Sequence, residues 1–329
     1  MYTRPLQAIS WGLLAAAISY VANAQSIKTQ INFPLPPVGI AANSFTNHIY
    51  VATPSYGGSN DTVTVIDGKT DTISNRITVP RGAQLPVIDI LRDRIFVVGC
   101  DAYSETFTCL VTSINGITHR VIGSSTITTT PGNGILGAAY DPICDKLYIA
   151  NASDNRIDIV DARSLKVVDS ISTNGQAPFG ISLNPFNQRL YVPYYTNQVD
   201  VFDVHNKALV ATATIGTQDV FTAVNILTGD VYVTDNVFGP STTGVLDQNG
   251  KKLTTVPVSE TPYGLDLDPF TNTVYVASTG NPALTVINGA TNSVSATLSG
   301  VNANFVSVNY VSRKVYLSGN NSVTVVAEK

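Results

Sequence analysis

Two acidic residues, Asp89 and Asp266, lie in segments whose other side chains are small or neutral. A carboxylate in such surroundings can act as a general base or bind a cation such as calcium. Asp266 and Asp89 are therefore the candidate catalytic residues. The alternative is a structural role, in which each carboxylate accepts hydrogen bonds from nearby backbone or water. No loop has an oxygen-ligand spacing that requires calcium, and no other cofactor is indicated.

Aromatic residues recur in segments that we expect to be loops at one end of the fold. Phe179, Tyr194, Tyr195 and Tyr263 are accompanied there by the cation Arg81. Aromatic rings with a few polar groups can bind a small apolar molecule, a sugar or a peptide. These five residues are the predicted ligand-binding set, although some of the rings could instead pack inside the fold. Other aromatic residues in the same loops are Tyr56, Tyr103, Phe107 and Phe238.

Other kinds of chemistry have little support. The three histidines, His48, His119 and His205, fall in separate repeats, so the sequence predicts no zinc or copper centre. Neither a Gly-x-Ser-x-Gly nucleophile motif nor a glycine-rich phosphate loop occurs. Nothing in the sequence pairs a nucleophile with a base.

The elements that must position these side chains are short strands. In the segment 261–298, four strands are predicted at Tyr263–Leu267, Thr273–Ala277, Leu284–Ile287 and Ser293–Leu298. Turn residues separate them, including Asp268-Pro269 and Asn288-Gly289. A four-stranded sheet of about 40 residues has two faces to bury, so it requires neighbours of the same kind.

The aromatic residue of the second strand marks the length of the repeat. It recurs at intervals of 41–52 residues, as Tyr50, Phe96, Tyr148, Tyr191, Tyr232, Tyr275 and Tyr316. Seven copies of an all-β unit at this period predict a seven-bladed β-propeller of four-stranded antiparallel blades. Residues 25–329 are expected to form this one domain.

The two ends of the chain are expected to complete one blade. The last repeat stops after three strands, and Ser26–Phe33 resembles an isolated fourth strand. Pairing the two would close the ring and cover an exposed sheet edge. The composition agrees with an all-β fold, because only 13% of the residues are charged and β-branched and aromatic residues are frequent.

Residues 1–24 resemble a secretory signal peptide. They contain Arg4, an apolar core from Trp11 to Val21, and Ala22-Asn23-Ala24 before the predicted cleavage site at Gln25. An N-terminal membrane anchor is the alternative, but the apolar core is short for a span. We therefore expect a secreted protein with no stable membrane span. The remaining 18 basic and 23 acidic residues form no basic patch, so a nucleic-acid partner is not expected.

Secretion would allow a disulfide bond and glycans. Cys100 and Cys109 flank one hairpin loop and are the favoured pair, with Cys109–Cys144 or no bond as alternatives. No Cys-x-x-Cys occurs, so redox chemistry is not indicated. Candidate N-glycosylation sites are Asn60, Asn151 and Asn320, all expected in exposed loops.

The repeats resemble a known family. Tyr232-Val233-Thr234-Asp235-Asn236 and Leu147-Tyr148-Ile149-Ala150-Asn151 are similar to the signature of YVTN-type β-propeller repeats. The Pro-x-Gly openings Pro37-Val38-Gly39, Pro178-Phe179-Gly180 and Pro262-Tyr263-Gly264 fit the same pattern. The resemblance covers residue 34 to the C-terminus. It implies the fold, and the wider propeller group includes lactonases and quinone- or metal-dependent oxidoreductases, so it implies no single activity.

Three functions follow as hypotheses. The preferred one is a secreted propeller that binds a small molecule or protein ligand at the channel mouth without catalysis. The second is an enzyme for a small cyclic or lactone-like metabolite, in which Asp266 is the base or cation ligand. The third is a structural protein of the cell surface or wall.

Overall fold

The computed structural model describes residues 25–55, 57–101, 107–281 and 283–328. The predicted signal peptide and the aromatic residues Tyr56 and Tyr103 lie outside these ranges. The described residues form 28 strands in seven separate four-stranded antiparallel sheets, as predicted.

The N-terminal strand and the first three blades occupy the first half of the chain. Strand β1 is Ser26–Asn32. Blade 1 contains β2 (Gly39–Asn43), β3 (His48–Thr53), β4 (Asp61–Asp67) and β5 (Thr72–Val79). Blade 2 contains β6 (Leu85–Asp89), β7 (Arg94–Asp101), β8 (Thr108–Asn115) and β9 (Arg120–Ile127). Blade 3 contains β10 (Ile135–Asp141), β11 (Lys146–Asn151), β12 (Arg156–Asp161) and β13 (Lys166–Ser172).

The remaining blades follow the same order. Blade 4 contains β14 (Ser182–Asn184), β15 (Arg189–Pro193), β16 (Gln198–Asp203) and β17 (Ala208–Thr214). Blade 5 contains β18 (Asp219–Val224), β19 (Val231–Asp235), β20 (Ser241–Leu246) and β21 (Lys252–Val258). Blade 6 contains β22 (Pro262–Asp268), β23 (Thr273–Ser278), β24 (Ala283–Asn288) and β25 (Ser293–Ser299). Blade 7 contains β26 (Phe305–Asn309), β27 (Lys314–Gly319) and β28 (Ser322–Ala327).

Strand β1 is the outermost strand of blade 7. It pairs antiparallel with β28, from Ser26 opposite Ala327 to Asn32 opposite Ser322. Ile31 and the following Phe33 are buried in a cluster that joins blade 7 to blade 1. The first and last described strands therefore share one sheet and one hydrophobic core.

Burial within each blade follows strand position. The second strands are buried on both faces because a neighbouring blade covers each side, as in the run Ile49–Thr53 of β3. The outer strands alternate exposed and covered positions or are mostly exposed, as in β5 and β13. Strands buried on both faces are rich in Val, Ile and Tyr for this reason.

The aromatic residue that marks the repeat connects each blade to the next. In five blades the Tyr hydroxyl donates a hydrogen bond to the neighbouring blade, in four cases at its last hairpin turn and in blade 7 at the residue that follows β28. The pairs are Tyr50 with Gly116, Tyr191 with Gln248, Tyr232 with Asn292, Tyr275 with Glu328 and Tyr316 with Asp71. Its recurrence at blade spacing is thus explained by packing between blades rather than by a ligand site.

We call the end of the propeller that carries the loops between second and third strands the upper face, and the opposite end the lower face. On the lower face, a five-residue turn joins the first and second strands of every blade. Its last residue adopts a left-handed conformation, as in Asn47 (φ 56°) and Asn272 (φ 52°). Its third residue is a large exposed hydrophobic in all seven blades. We call this set the lower ring: Phe45, Leu91, Ile143, Phe186, Leu227, Phe270 and Val311.

The cysteine prediction is confirmed for the favoured pair. Cys100 and Cys109 stand opposite each other on β7 and β8 and form a disulfide bond. Cys144 is free and exposed. Within the described residues, no helix has the length and apolarity to cross a membrane.

The glycosylation candidates lie in different environments. Asn60 and Asn320 are exposed in loops between the second and third strands. Asn151 was also expected in an exposed loop, and this expectation is wrong. It ends β11, is fully buried, and donates to Asp158 Oδ2 at 2.8 Å. A glycan on Asn151 would require this part of blade 3 to open.

Candidate functional site

The upper end of the central channel holds a cavity of about 660 Å³. Each blade contributes at least one large apolar residue to it, from the start of its first strand or from the few residues before it. We call this set the apolar floor: Val38, Leu85, Leu136, Phe179, Phe221, Tyr263 and Phe305. The volume falls within the range typical of small-molecule sites.

The apolar floor has two chemically different halves. Blades 1, 2 and 3 supply the aliphatic residues Val38, Leu85 and Leu136, whereas blades 4 to 7 supply aromatic ones. Phe221 is the centre of the aromatic half. Its ring centroid lies 4.8 Å from that of Tyr263, 5.6 Å from Phe305 and 5.7 Å from Phe179. Most of these contacts are edge-to-face, the geometry that aromatic quadrupoles favour.

The Pro-x-Gly motif explains how these side chains reach the cavity. A Cβ atom on Gly180 would lie only 1.9 Å from Phe221 Cδ1, and one on Gly39 only 2.0 Å from the carbonyl oxygen of Gln84. At these positions the first strand lies so close to the next blade that only glycine fits. The residue before the glycine, such as Phe179, then projects into the channel mouth. The variable residue of this motif therefore supplies three of the seven floor residues, Val38, Phe179 and Tyr263.

Polar groups line the side of the cavity next to blades 1 and 2. The Arg81 guanidinium lies 2.8 Å from Asp101 Oδ1, so its charge is balanced locally. The carboxylate of Asp61 accepts three backbone N–H groups, from Ser55, Gly82 and Ala83. Asp61 thus holds the loop that carries Arg81. The cavity consequently has an apolar floor and a polar wall whose charged groups are already engaged within the protein.

Three of the five predicted ligand-binding residues line the cavity. Phe179, Tyr263 and Arg81 are all in its wall or floor. Tyr195 does not line it but stacks on Phe179, with ring centroids 5.8 Å apart. Tyr195 is 48% exposed, so it extends the aromatic surface outward.

Tyr194 does not join this group. It is only 4% exposed and packs in the core between blades 3 and 4. Its hydroxyl donates to Asp200 Oδ2 at 2.9 Å, and burial raises the pKa of Tyr194. The chain leaves β15 after Pro193 and Tyr195 adopts a φ of 59°, which separates Tyr194 from Tyr195.

Asp89 lies at the lower end of blade 2, away from the cavity. Its carboxylate is fully buried and accepts from Arg94 Nε at 2.9 Å and from the Tyr140 hydroxyl at 3.0 Å. It also caps its own turn by accepting from the N–H of Arg92. These contacts agree with the structural alternative, in which the carboxylate accepts hydrogen bonds from its surroundings.

Asp266 lies deeper along β22 than Tyr263 and does not line the cavity. Its two oxygens accept the N–H groups of Leu267 and Val308, each at 2.8 Å. Burial raises the pKa of Asp266 to about 6, against the opposing effect of these hydrogen bonds. Asp89 and Asp266 belong to different blades and to separate hydrogen-bond networks, so the structure does not bring them together.

The sequence analysis did not identify two features of the structure. Asp219, at the upper end of blade 5, is fully buried, and burial raises its pKa to about 7, with a smaller contribution from the charge of Asp235. His48 and His119 belong to different blades, yet their rings meet at the lower face with centroids 5.1 Å apart. In the described part of the chain, no three potential metal-ligating side chains form a group that could hold a metal ion.

Five members of the apolar floor were not selected from the sequence: Val38, Leu85, Leu136, Phe221 and Phe305. A signal for the two aromatic ones exists, since Phe179, Phe221, Tyr263 and Phe305 follow one another at intervals of 42 residues. The same repeat position could have been searched in every blade.

Comparison with known proteins supports the fold alone. A chain of Kuenenia stuttgartiensis hydrazine synthase superimposes with a TM-score of 0.73 at 16% sequence identity. The match covers 91% of this chain and 98% of that one. No protein-family model matches the sequence, and no curated protein is detectably similar to it. At this identity the likeness concerns architecture and carries no function.

Proposed function

We propose that this chain is a binding propeller that holds one small, mainly apolar, ring-containing molecule in the upper cavity, without chemical turnover. The observation that supports it is the apolar floor, in which four aromatic and three aliphatic residues converge from seven blades. Stacking on Phe221 and its neighbours would fix the ring of the ligand. The polar wall near Arg81 would accept its hydrogen-bonding end.

Charge favours a neutral ligand. Arg81 is paired with Asp101 at 2.8 Å, and Asp61 is occupied by backbone N–H groups. A ligand carrying a full charge would have to compete with one of these contacts or lose hydration without compensation. A neutral aromatic or alicyclic molecule with one or two hydrogen-bonding groups avoids both this competition and this loss of hydration.

The enzyme hypothesis is less well supported. It requires a reacting group at the cavity, and neither Asp89 nor Asp266 lines it. Secretion remains part of the proposal, because a disulfide bond such as Cys100–Cys109 is typical of oxidising compartments. Membership of the YVTN-type repeat proteins likewise remains an interpretation of the repeat sequences.

The direct test is a titration with N-phenyl-1-naphthylamine, a neutral aromatic probe whose fluorescence rises in apolar surroundings. The chain should bind it saturably, with one site per molecule. Phe221→Ala should weaken binding about tenfold, which corresponds to about 1.4 kcal/mol of lost contact. Phe221→Leu, which keeps an apolar side chain of similar volume, should have a smaller effect and serves as a check that the fold is intact.

Phe238→Ala is the matched control. Phe238 is on the same face but is 87% exposed and outside the cavity. Its removal should leave the dissociation constant within about twofold, since it makes no cavity contact. Equal binding by the wild type and Phe221→Ala, or an absence of saturable binding, would contradict the proposal.

A further inference from the structure

The lower ring forms a second apolar surface, on the face opposite the cavity. Its seven side chains have exposed fractions between 57% and 70%. Single exposed apolar residues are common on protein surfaces and require no explanation. Here every blade places one at the same position of the same turn, around the lower end of the channel. A coherent apolar patch of this kind marks an interaction surface.

The turn itself does not require an apolar residue at this position. The side chain of its first residue, such as Asn184 or Asp268, caps the turn by accepting backbone N–H groups. The left-handed last residue completes the backbone geometry. The third position points outward, and a polar residue there would satisfy the same turn while avoiding exposure of apolar surface.

The ring is continuous on the side of blades 6, 7 and 1. Tyr310, the second residue of the blade 7 turn, contacts Phe270 at 5.3 Å and Phe45 at 6.5 Å between ring centroids. These contacts support the aromatic side chains against one another. The patch is thus a partly preorganised surface rather than a set of independent side chains.

Charges of both signs lie on the lower face. Arg92 pairs with Asp89, Arg163 with Asp145, and Lys207 with Asp169. An anionic membrane surface is attracted by an excess of basic side chains, and these three basic side chains already have acidic partners. A protein surface that carries both signs and a central apolar patch is a better match.

From these observations we infer that the lower ring is the interface of a homodimer, in which two copies of this chain pack face to face. At the exposures given above, the seven side chains present roughly 800 Å² of apolar surface, which matches the contribution of one partner to a standard-size interface. A two-fold axis lets the same ring serve on both copies, as isologous dimers require. Both cavities then remain open on the outer faces, so the dimer is independent of the proposed function.

Sedimentation velocity of the purified chain between 1 and 100 µM tests this interface. The wild type should sediment at twice its monomer mass at the higher concentrations. Phe186→Asp should raise the dimer dissociation constant at least 100-fold, because it places a charge in the centre of an apolar contact. Leu91→Asp, in another blade of the lower ring, should also raise the dimer dissociation constant.

Phe238→Asp is the matched control, since it adds the same charge at an exposed Phe of the upper face. It should leave the dimer unchanged. A wild-type monomer at 100 µM, or equal dissociation in Phe238→Asp and Phe186→Asp, would overturn the inference. Monomers that float with vesicles of phosphatidylcholine and phosphatidylglycerol in a Phe186-dependent manner would also overturn it, in favour of a membrane surface. Circular dichroism of each variant separates these outcomes from loss of the fold.

Discussion

Tyr194 and Tyr195 are neighbours in sequence with different roles. Tyr194 is buried against Asp200, whereas Tyr195 stacks on Phe179 beside the cavity. The loop position of both residues was predictable from the turn residues around them. Which of the two faces the ligand depends on the backbone direction at the end of β15, where Tyr195 adopts a φ of 59°. Sequence patterns give no access to that angle.

Asp266 should make the stability of the folded chain depend on pH. Its folded pKa of about 6 lies above the ordinary value of 3.8, because burial disfavours the charged form. Between these two values the folded state keeps a proton that the unfolded state has lost. The contribution of Asp266 to the free energy of unfolding therefore falls as pH rises from about 4 to about 6.

Asp266→Asn should abolish this contribution. The free energy of unfolding of the variant minus that of the wild type should increase by about 1–3 kcal/mol from pH 4.5 to pH 7.5. Urea unfolding at the two pH values measures the difference. Asp169→Asn is the control, because Lys207 lowers the pKa of this exposed carboxylate, so that it is ionised in both states above its ordinary pKa and the difference should stay flat between the two pH values. A pH-independent difference for Asp266→Asn would contradict the assignment.

At the scale of the element, the second strand has the clearest sequence signal and the clearest packing role. Its recurrent Tyr predicted seven repeats, and the structure shows that its hydroxyl joins successive blades. The closing interface between blades 7 and 1 contains a buried network around Asp71. Asp71 accepts from Tyr316 at 2.9 Å and from Lys28 and Lys314 at 2.8 Å each. Burial alone would raise the pKa of Asp71, but the two lysines lower it.

Tyr316→Phe should lower the free energy of unfolding by about 1–2 kcal/mol, since it removes a buried hydrogen bond to a charged acceptor. The ring itself should still fit, because Phe96 occupies the equivalent position in blade 2. Tyr148→Phe is the matched control: among the described residues, its hydroxyl has no hydrogen-bond partner, so the cost should stay below about 0.5 kcal/mol. Denaturant unfolding of both variants measures these changes. Equal losses in the free energy of unfolding would refute the role of the Tyr316 hydroxyl.

At the scale of the molecule, β1 closes the ring by pairing with β28. Removing residues 25–33 would delete the buried side chains of Ile31 and Phe33 and leave β28 as an uncovered edge. Loss of two core side chains costs about 2–5 kcal/mol each, and the melting temperature should fall by roughly 10 °C or more. An uncovered edge also favours aggregation.

A peptide of residues 25–33, added to the shortened chain, should restore part of the melting temperature by pairing with β28. The same peptide with Ile31→Asp is the control and should not do so, because it places a charge in the apolar cluster. Differential scanning calorimetry measures both effects. An unchanged melting temperature after deletion would show that the pairing adds nothing to stability.

Local patterns in the sequence determined the number of blades, the positions of most strands and turns, and the favoured disulfide partner. They could do so because strand alternation, turn residues and a period near 42 residues are properties of short segments. The convergence of Val38, Leu85, Leu136 and the four aromatic residues on one cavity was decided only by the tertiary structure. The repeat identifies equivalent positions in the blades, but which of them face the channel depends on the close approach of neighbouring first strands.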